Sequence, residues 1–343
     1  MSLKAVLTEL KRHRRPGLNW LVAGVIGGLF AAGWVLILAP AWAAWLGAAA
    51  LAEAMILSFY LSHDCAHLCA FPTRRQNLVM GQILAFLSGG GASGFGDYRR
   101  DHLRHHAEQM DFIGLDLNQS WAQRWRPLRA AIELLESCYI PALFFVIKWE
   151  TVWHDMVSQA GGRRAAVAGC GIRLASVTAL AALRPHALLW FVIAVFARIH
   201  CIRFVDAFQH VFEHGDLARR SRHRGWDYEQ RQTFSFPVFK RHRFLNLMTL
   251  NFGYHNAHHA VPHCPWYNLP RLDALLRQFS CEPETAGRFP YQPEQAGVAA
   301  LLKSYHKYRV LRLFTAEPDA AYDEDGRFSL TSFRGVLSDH LLG

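Results

Sequence analysis

The chain has 343 residues, of which 52% are hydrophobic and only 19% charged, with a formal net charge of +10 at pH 7. That apolar excess excludes an ordinary soluble composition and moves the class toward membrane proteins. The positive balance suits an anionic leaflet or an acidic partner protein; it argues against nucleic acid, because the basic residues are spread along segments that flank apolar runs and no binding motif accompanies them.

In chain order, residues 1–17 form a basic N-terminus containing Lys11, Arg12, Arg14 and Arg15. Leu18–Leu38 then runs without a charged residue, about 31 Å of helix at ~1.5 Å per residue, enough to cross a bilayer core of ~30 Å. It is too long for a cleaved leader and lacks a small-residue exit. Pro40 breaks the helix, and a second apolar run covers Ala43–Leu61 with Glu53 inside it. A later pair follows, Ala165–Leu183 around Arg173 and Ala187–Phe204 around Arg198, His200 and Arg203. Charges at membrane depth are costly, so these side chains should face partner helices or a wet interior. Leu78–Leu87 and Ile140–Ile147 are too short to cross and read as interfacial or re-entrant pieces.

The expected architecture is an all-α integral membrane protein with four transmembrane helices, about 18–38, 43–61, 165–183 and 187–204, arranged as two hairpins. Residues 18–282 form the membrane domain, and 283–343 form a polar cytosolic tail. Lys and Arg crowd the 1–17, 74–75, 163–164 and 219–224 stretches but are nearly absent from the 39–42 and 184–186 turns. Both termini are therefore expected in the cytoplasm. The seven cysteines show no Cys-x-x-Cys pair and read as reduced thiols.

The chemistry is concentrated in histidine. His63-x3-His67, His102-x2-His105-His106 and His255-x2-His258-His259 are set in segments 63–106 and 210–259, on the side expected to be cytoplasmic. Positions i, i+3 and i+4 share one helical face, so each box can present its imidazoles to one metal site. With 19 histidines in the chain, composition alone gives roughly 0.06 matches to His-x-x-His-His, and there are two. His210 and His214, also i and i+4, continue the last apolar run; His210 is the favoured further ligand, and His214 stays open as a tenth. Nine or ten imidazoles exceed what one ion binds, which suggests two ions; imidazole-rich ligation suits iron, and open positions on redox metals favour oxygen activation. Neutral imidazoles do not compensate four positive charges. Asp64, Asp101, Asp206 and Glu213 are the candidate outer carboxylates, with Asp206 the best placed.

The order of these elements resembles the membrane fatty acid desaturase superfamily, bacterial type. Phe208-Gln209-His210 is similar to the element that precedes the family's last box. Asn251-Phe252-Gly253-Tyr254-His255-Asn256-Ala257-His258-His259, followed by Pro265-Trp266-Tyr267 and Leu269-Pro270, resembles bacterial acyl desaturases. The likeness runs from about Leu18 to Leu275. It implies an oxygen-dependent di-iron enzyme of the bacterial inner membrane that introduces a double bond into an acyl chain carried as a lipid, a CoA ester or another thioester. Its implied ligands are His63, His67, His102, His105, His106, His210, His255, His258 and His259, with the acyl chain in an apolar tunnel beneath two irons. No His-Pro-Gly-Gly haem motif occurs, so electrons should come from a separate ferredoxin, or a cytochrome with its reductase.

Hydroxylation or acetylenic bond formation on the same scaffold is the alternative. A metal transporter should place ligands at the bilayer midplane, whereas these boxes lie at the ends of apolar runs. A zinc hydrolase should carry His-Glu-x-x-His, which is absent.

Overall fold

The computed structural model describes residues 15–39, 41–89, 94–113, 121–157, 163–212, 214–216, 224–281, 297–311 and 313–314. Among these the fold is helical apart from two three-residue strands. The helices are α1 (Pro16–Leu38), α2 (Ala41–Ala66), α3 (Arg74–Leu87), α4 (Phe95–Glu108), α5 (Trp121–Arg124), α6 (Arg126–Ser137), α7 (Ala142–Val157), α8 (Arg163–Leu183), α9 (Pro185–Asp206), α10 (Trp226–Gln232), α11 (His255–Ala260), α12 (Leu269–Cys281) and α13 (Val298–Tyr308). Strand β1 (Asp111–Ile113) pairs in parallel with β2 (His214–Asp216). This ties the chain leaving the second histidine box to the chain leaving His210.

Three described helices are long and apolar enough to cross a membrane: Pro16–Leu38, Trp42–Ala66 and Pro185–Asp206. The expected span at 165–183 is helical, as α8, but its described apolar part, Cys170–Leu183, is a shorter stretch. The second candidate span differs from its expected bounds, since α2 continues past Leu61 to carry His63 and Asp64. It can do so because α2 is the most enclosed of the three, and both polar side chains are buried among protein rather than lipid.

The first two helices pack backbone to backbone. A Cβ at Gly33 would fall 2.6 Å from Leu51 Cγ, and one at Gly47 would fall 2.7 Å from the Ile37 amide nitrogen. Small residues at such a crossing let two membrane helices come close enough for dispersion contacts to hold them. The outer faces of α1 and α2 expose Trp20, Leu21, Val25, Trp42 and Trp45, as expected of a lipid-facing surface. Trp121, Trp125, Trp149 and Trp153 are likewise exposed along α5 to α7.

Of the charges expected to avoid lipid, two are buried, and the side chain of Arg173 lies outside the described residues. Arg198 and Arg203 on α9 are each 2% exposed, and Arg203 Nη1 reaches Glu136 Oε2 on α6 at 3.0 Å. Within 297–314, α13 buries Leu301, Ser304 and Tyr305. Just beyond it, Arg309 donates to the carbonyls of Glu136 and Ser137 at 3.2 and 3.1 Å, with its guanidinium 3.7 Å from the Tyr139 ring centre.

Candidate metal centre

Each box is held by a local device that ends or aims its helix. After His67 the chain turns back through Leu68 at φ 57°, with Leu68 N–H donating to the Cys65 carbonyl and Cys69 N–H to the Asp64 carbonyl. Such a left-handed exit satisfies carbonyls that a helix end would leave bare. The second box, on α4, ends at Gln109, again left-handed at φ 53°. The third opens from consecutive left-handed residues Leu250 and Asn251. Gly253 follows, where a Cβ would lie 2.7 Å from the Phe236 carbonyl oxygen. Only glycine allows that approach, and it brings His255 inward.

The structure gathers nine of the ten sequence-predicted histidines into two adjoining buried groups. His63, His67, His102, His106 and His258 make the first; His105, His210, His255 and His259 make the second, with one nitrogen from each ring within 4.8 Å of the others in its group. In the first, His102 Nε2 lies 2.7 Å from His67 Nε2 and 3.2 Å from His106 Nε2, and His106 Nε2 lies 3.1 Å from His258 Nε2. In the second, His255 Nε2 is 2.7 Å from His210 Nε2, and His105 Nε2 is 3.3 Å from His259 Nε2. The tenth, His214, is placed by its backbone in β2, and its side chain lies outside the described residues. His263, outside the boxes, comes within 6.2 Å of the His67 ring; His200 is used structurally, bonded to the Tyr139 carbonyl and the Tyr305 hydroxyl.

These residues fit a metal better than they fit one another. His105 Nδ1 faces the Met110 carbonyl at 2.8 Å and His259 Nδ1 faces Glu229 Oε1 at 2.7 Å. Neither oxygen can donate, so both Nδ1 atoms carry the proton and both Nε2 lone pairs point inward. Three Nε2 atoms meeting at His102 cannot all be satisfied by shared protons. A cation satisfies them: two nitrogens about 2.1 Å from one ion and at right angles are about 3.0 Å apart.

Of the expected carboxylates, Asp64 contributes: its Oδ2 accepts from the Trp266 backbone N–H at 3.0 Å and its Oδ1 stands 3.5 Å from His63 Nδ1. Trp266 Nε1 in turn donates to Asn19 Oδ1 on α1 at 2.7 Å. Asp101 turns to Arg100 instead, at 3.0 Å. Asp206 is buried at the end of α9, and Glu213 lies outside the described residues. The carboxylate that sequence reasoning missed is Glu229, 2.7 Å from His259 Nδ1 and 3.9 Å from His106 Nδ1. It belongs to no box and bears no periodic relation to one.

Aromatic rings seal the centre. Phe252 lies 4.7 Å from His63 and 4.8 Å from His255, Tyr98 stacks beneath His102 at 5.7 Å, and Phe212 stacks on His210 at 4.6 Å.

Burial, reinforced by neighbouring imidazoles, holds His67, His255 and His258 well below the ordinary 6.5. Burial takes His105 to about 3, against an opposing pull from the Met110 carbonyl. His106 is lowered by burial and partly restored by Glu229. In the folded chain these rings are neutral, so their lone pairs are available to a cation. Without metal, the unfolded chain takes up protons first as pH falls below 6.5, so stability is complete above that value and is lost toward the depressed folded values. Each unit of displacement corresponds to about 1.4 kcal/mol. Chelator-stripped protein should therefore melt several degrees lower at about pH 5.5 than at about pH 7.5. An unchanged melting temperature between those two pH values would contradict this.

Fold and site together define a helical, membrane-type protein with a buried polyhistidine centre suited to metal. Residues 40–291 match the family model described as fatty acid desaturase, and the chain belongs to that family. It is 23% identical over 223 residues to a Bacillus subtilis (strain 168) protein described as a fatty acid desaturase, an alignment that covers 62% of this chain and 62% of that relative's length.

Proposed function

We propose that the protein is an oxygen-dependent di-iron desaturase that introduces a double bond into a fatty acyl chain. The observation that carries this reading is the pairing of two adjoining imidazole groups, five rings and four, buried where α2 and α9 end. The ligands in this reading are His63, His67, His102, His106 and His258 for one iron, and His105, His210, His255 and His259 for the other. His214 stays open as a tenth. When bound, two irons supply oxygen-dependent removal of hydrogen from an unactivated carbon.

The chain's own residues orient and enclose. Met110 and Glu229 fix the tautomers of His105 and His259. Asp64, held by Trp266, backs His63. Phe252, Tyr98 and Phe212 pack against the rings and exclude water from them. The acyl chain approaches from the membrane side, in a reading where α8 crosses with α9 as a second hairpin and both termini are cytoplasmic. In this reading electrons come from a separate ferredoxin or cytochrome. The family match over residues 40–291 supports this reading.

Expression in a bacterial host with simple lipids, followed by mass spectrometry of the acyl chains, is the test. The expected product lacks two hydrogens and disappears with His259→Ala. A product that gains one oxygen instead would identify a hydroxylase, and loss of four hydrogens an acetylenase; an unchanged lipid profile, with iron bound and a reductant supplied, would overturn the reading.

A further inference from the structure

Imidazole binds a metal as a neutral ligand, so two divalent ions would bring four positive charges into this buried site with no compensation from the rings. One carboxylate stands at the seam. Glu229 is 7% exposed, and its Oε1 lies 2.7 Å from His259 Nδ1 in the four-ring group and 3.9 Å from His106 Nδ1 in the five-ring group. The other end of each ring points its Nε2 inward, toward His105 from His259 and toward His102 and His258 from His106.

The helix that carries Glu229 is pinned at both ends by the boxes themselves. At its start, Gln109, the residue that ends the helix of the second box, donates to the Gly225 carbonyl at 2.9 Å and accepts from the Arg224 N–H at 2.8 Å. At its end, Asn256, inside the third box, donates to the carbonyls of Gln230 and Thr233 at 3.2 and 2.7 Å. The backbone of α10 is therefore fixed relative to both groups by residues that neighbour the ligands in sequence. Such a double fastening is unnecessary for a solvated surface turn.

We infer that Glu229 is a positioning residue shared by the two metal sites, an anionic strut that bonds His259 in one group, faces His106 of the other at 3.9 Å, and lowers the charge of both together. This inference rests on the two-metal reading above. A carboxylate behind a ligating imidazole raises its basicity, and removing it commonly costs 10–100-fold in metal affinity. Because this one serves a ligand in each group, its removal should weaken two sites rather than one.

The test uses the full-length chain in detergent, loaded with Fe(II) and titrated with a chelator, with metal per chain read by elemental analysis. Glu229→Ala should lose both irons in a single step at about 10–100-fold lower chelator than wild type. A plateau at one iron would assign Glu229 to a single site and overturn the shared role, as would wild-type retention. Glu229→Gln keeps the size and an acceptor for His259 while removing the charge. It should fold, keep both irons more weakly and show a raised Fe(III)/Fe(II) midpoint potential, since the oxidised pair loses its nearby anion. An unchanged potential would also overturn the inference. Glu133→Gln, which alters a half-buried carboxylate paired with Arg129 on α6, should leave affinity and potential as in wild type; matching changes there would overturn the assignment. If wild type itself binds no iron, it is the metal-centre reading that fails, and the two failures are thereby distinct.

Discussion

Alanine at His258 should reduce turnover to background and lower bound iron from about two per chain to about one, which elemental analysis of the purified protein would measure. His258 is 1% exposed and sits among the five-ring group, its ring 4.4 Å from His63 and 4.8 Å from His67, with Nε2 3.1 Å from His106 Nε2. Removing it deletes a lone pair and opens a void that the remaining four rings cannot close. His255→Ala should produce the same stoichiometry by emptying the other group, where His255 Nε2 meets His210 Nε2 at 2.7 Å. His200→Gln offers the contrast. That ring is bonded to the Tyr139 carbonyl and the Tyr305 hydroxyl, so its loss should affect packing of α13 and leave iron content at the wild-type value. Equal iron in His258→Ala and wild type would contradict a ligand role for His258, whatever happened to activity.

The histidines were legible because their spacing is physical. His102, His105 and His106 fall on one turn of α4, and His63 lies in the last turn of α2 with His67 just past its end, so a sequence rule about helix faces brings the rings of each box to one side. That nine rings would divide five and four was not legible. The second box splits between the groups: His102 and His106 go to one while His105, on a different azimuth of the same helix, goes to the other. The third box splits the same way, with His258 on one side and His255 and His259 on the other. A helix offers two faces about 100° apart to two sites, and spacing alone does not say which.

The carboxylates were less legible for a related reason. Asp64 could be picked out beside His63, but its fixing partner, the backbone N–H of Trp266, comes from the far end of the chain. Glu229 reaches the centre through a short helix whose position depends on Gln109 and Asn256. No local pattern marks it. In the membrane region, the runs at 18–38 and 187–204 were plain because uninterrupted apolar length suffices. Ala165–Leu183 was harder, since the small residues that make it apolar also make it weakly so, and Arg163 and Arg164 stand at its start.

The buried pair between α6 and α9 carries the other large expected effect. Arg203 Nη1 lies 3.3 and 3.0 Å from the two Glu136 oxygens, and each side chain is 2% exposed. Glu136 Oε1 also accepts from the Leu143 N–H at 3.0 Å, fixing the corner between α6 and α7. Glu136→Ala should cost about 3–5 kcal/mol, because it leaves a guanidinium buried without its counter-charge. The same substitution should reach the metal centre. Arg203 belongs to the last turn of α9, and the chain leaves that helix at Asp206 directly toward His210. A loosened α9 end therefore moves His210 before it moves any ring of the five-ring group, so iron should be lost first from the group of His105, His210, His255 and His259. Replacing both partners, Glu136→Leu with Arg203→Met, removes the uncompensated charge and should recover most of the stability, less about 1 kcal/mol for the unbonded Leu143 N–H. Thermal unfolding in detergent, read together with iron content, separates these outcomes. If the single variant melts at the wild-type temperature, the pair is not what fixes this corner; if it melts early yet keeps both irons at wild-type affinity, the end of α9 does not govern where His210 sits.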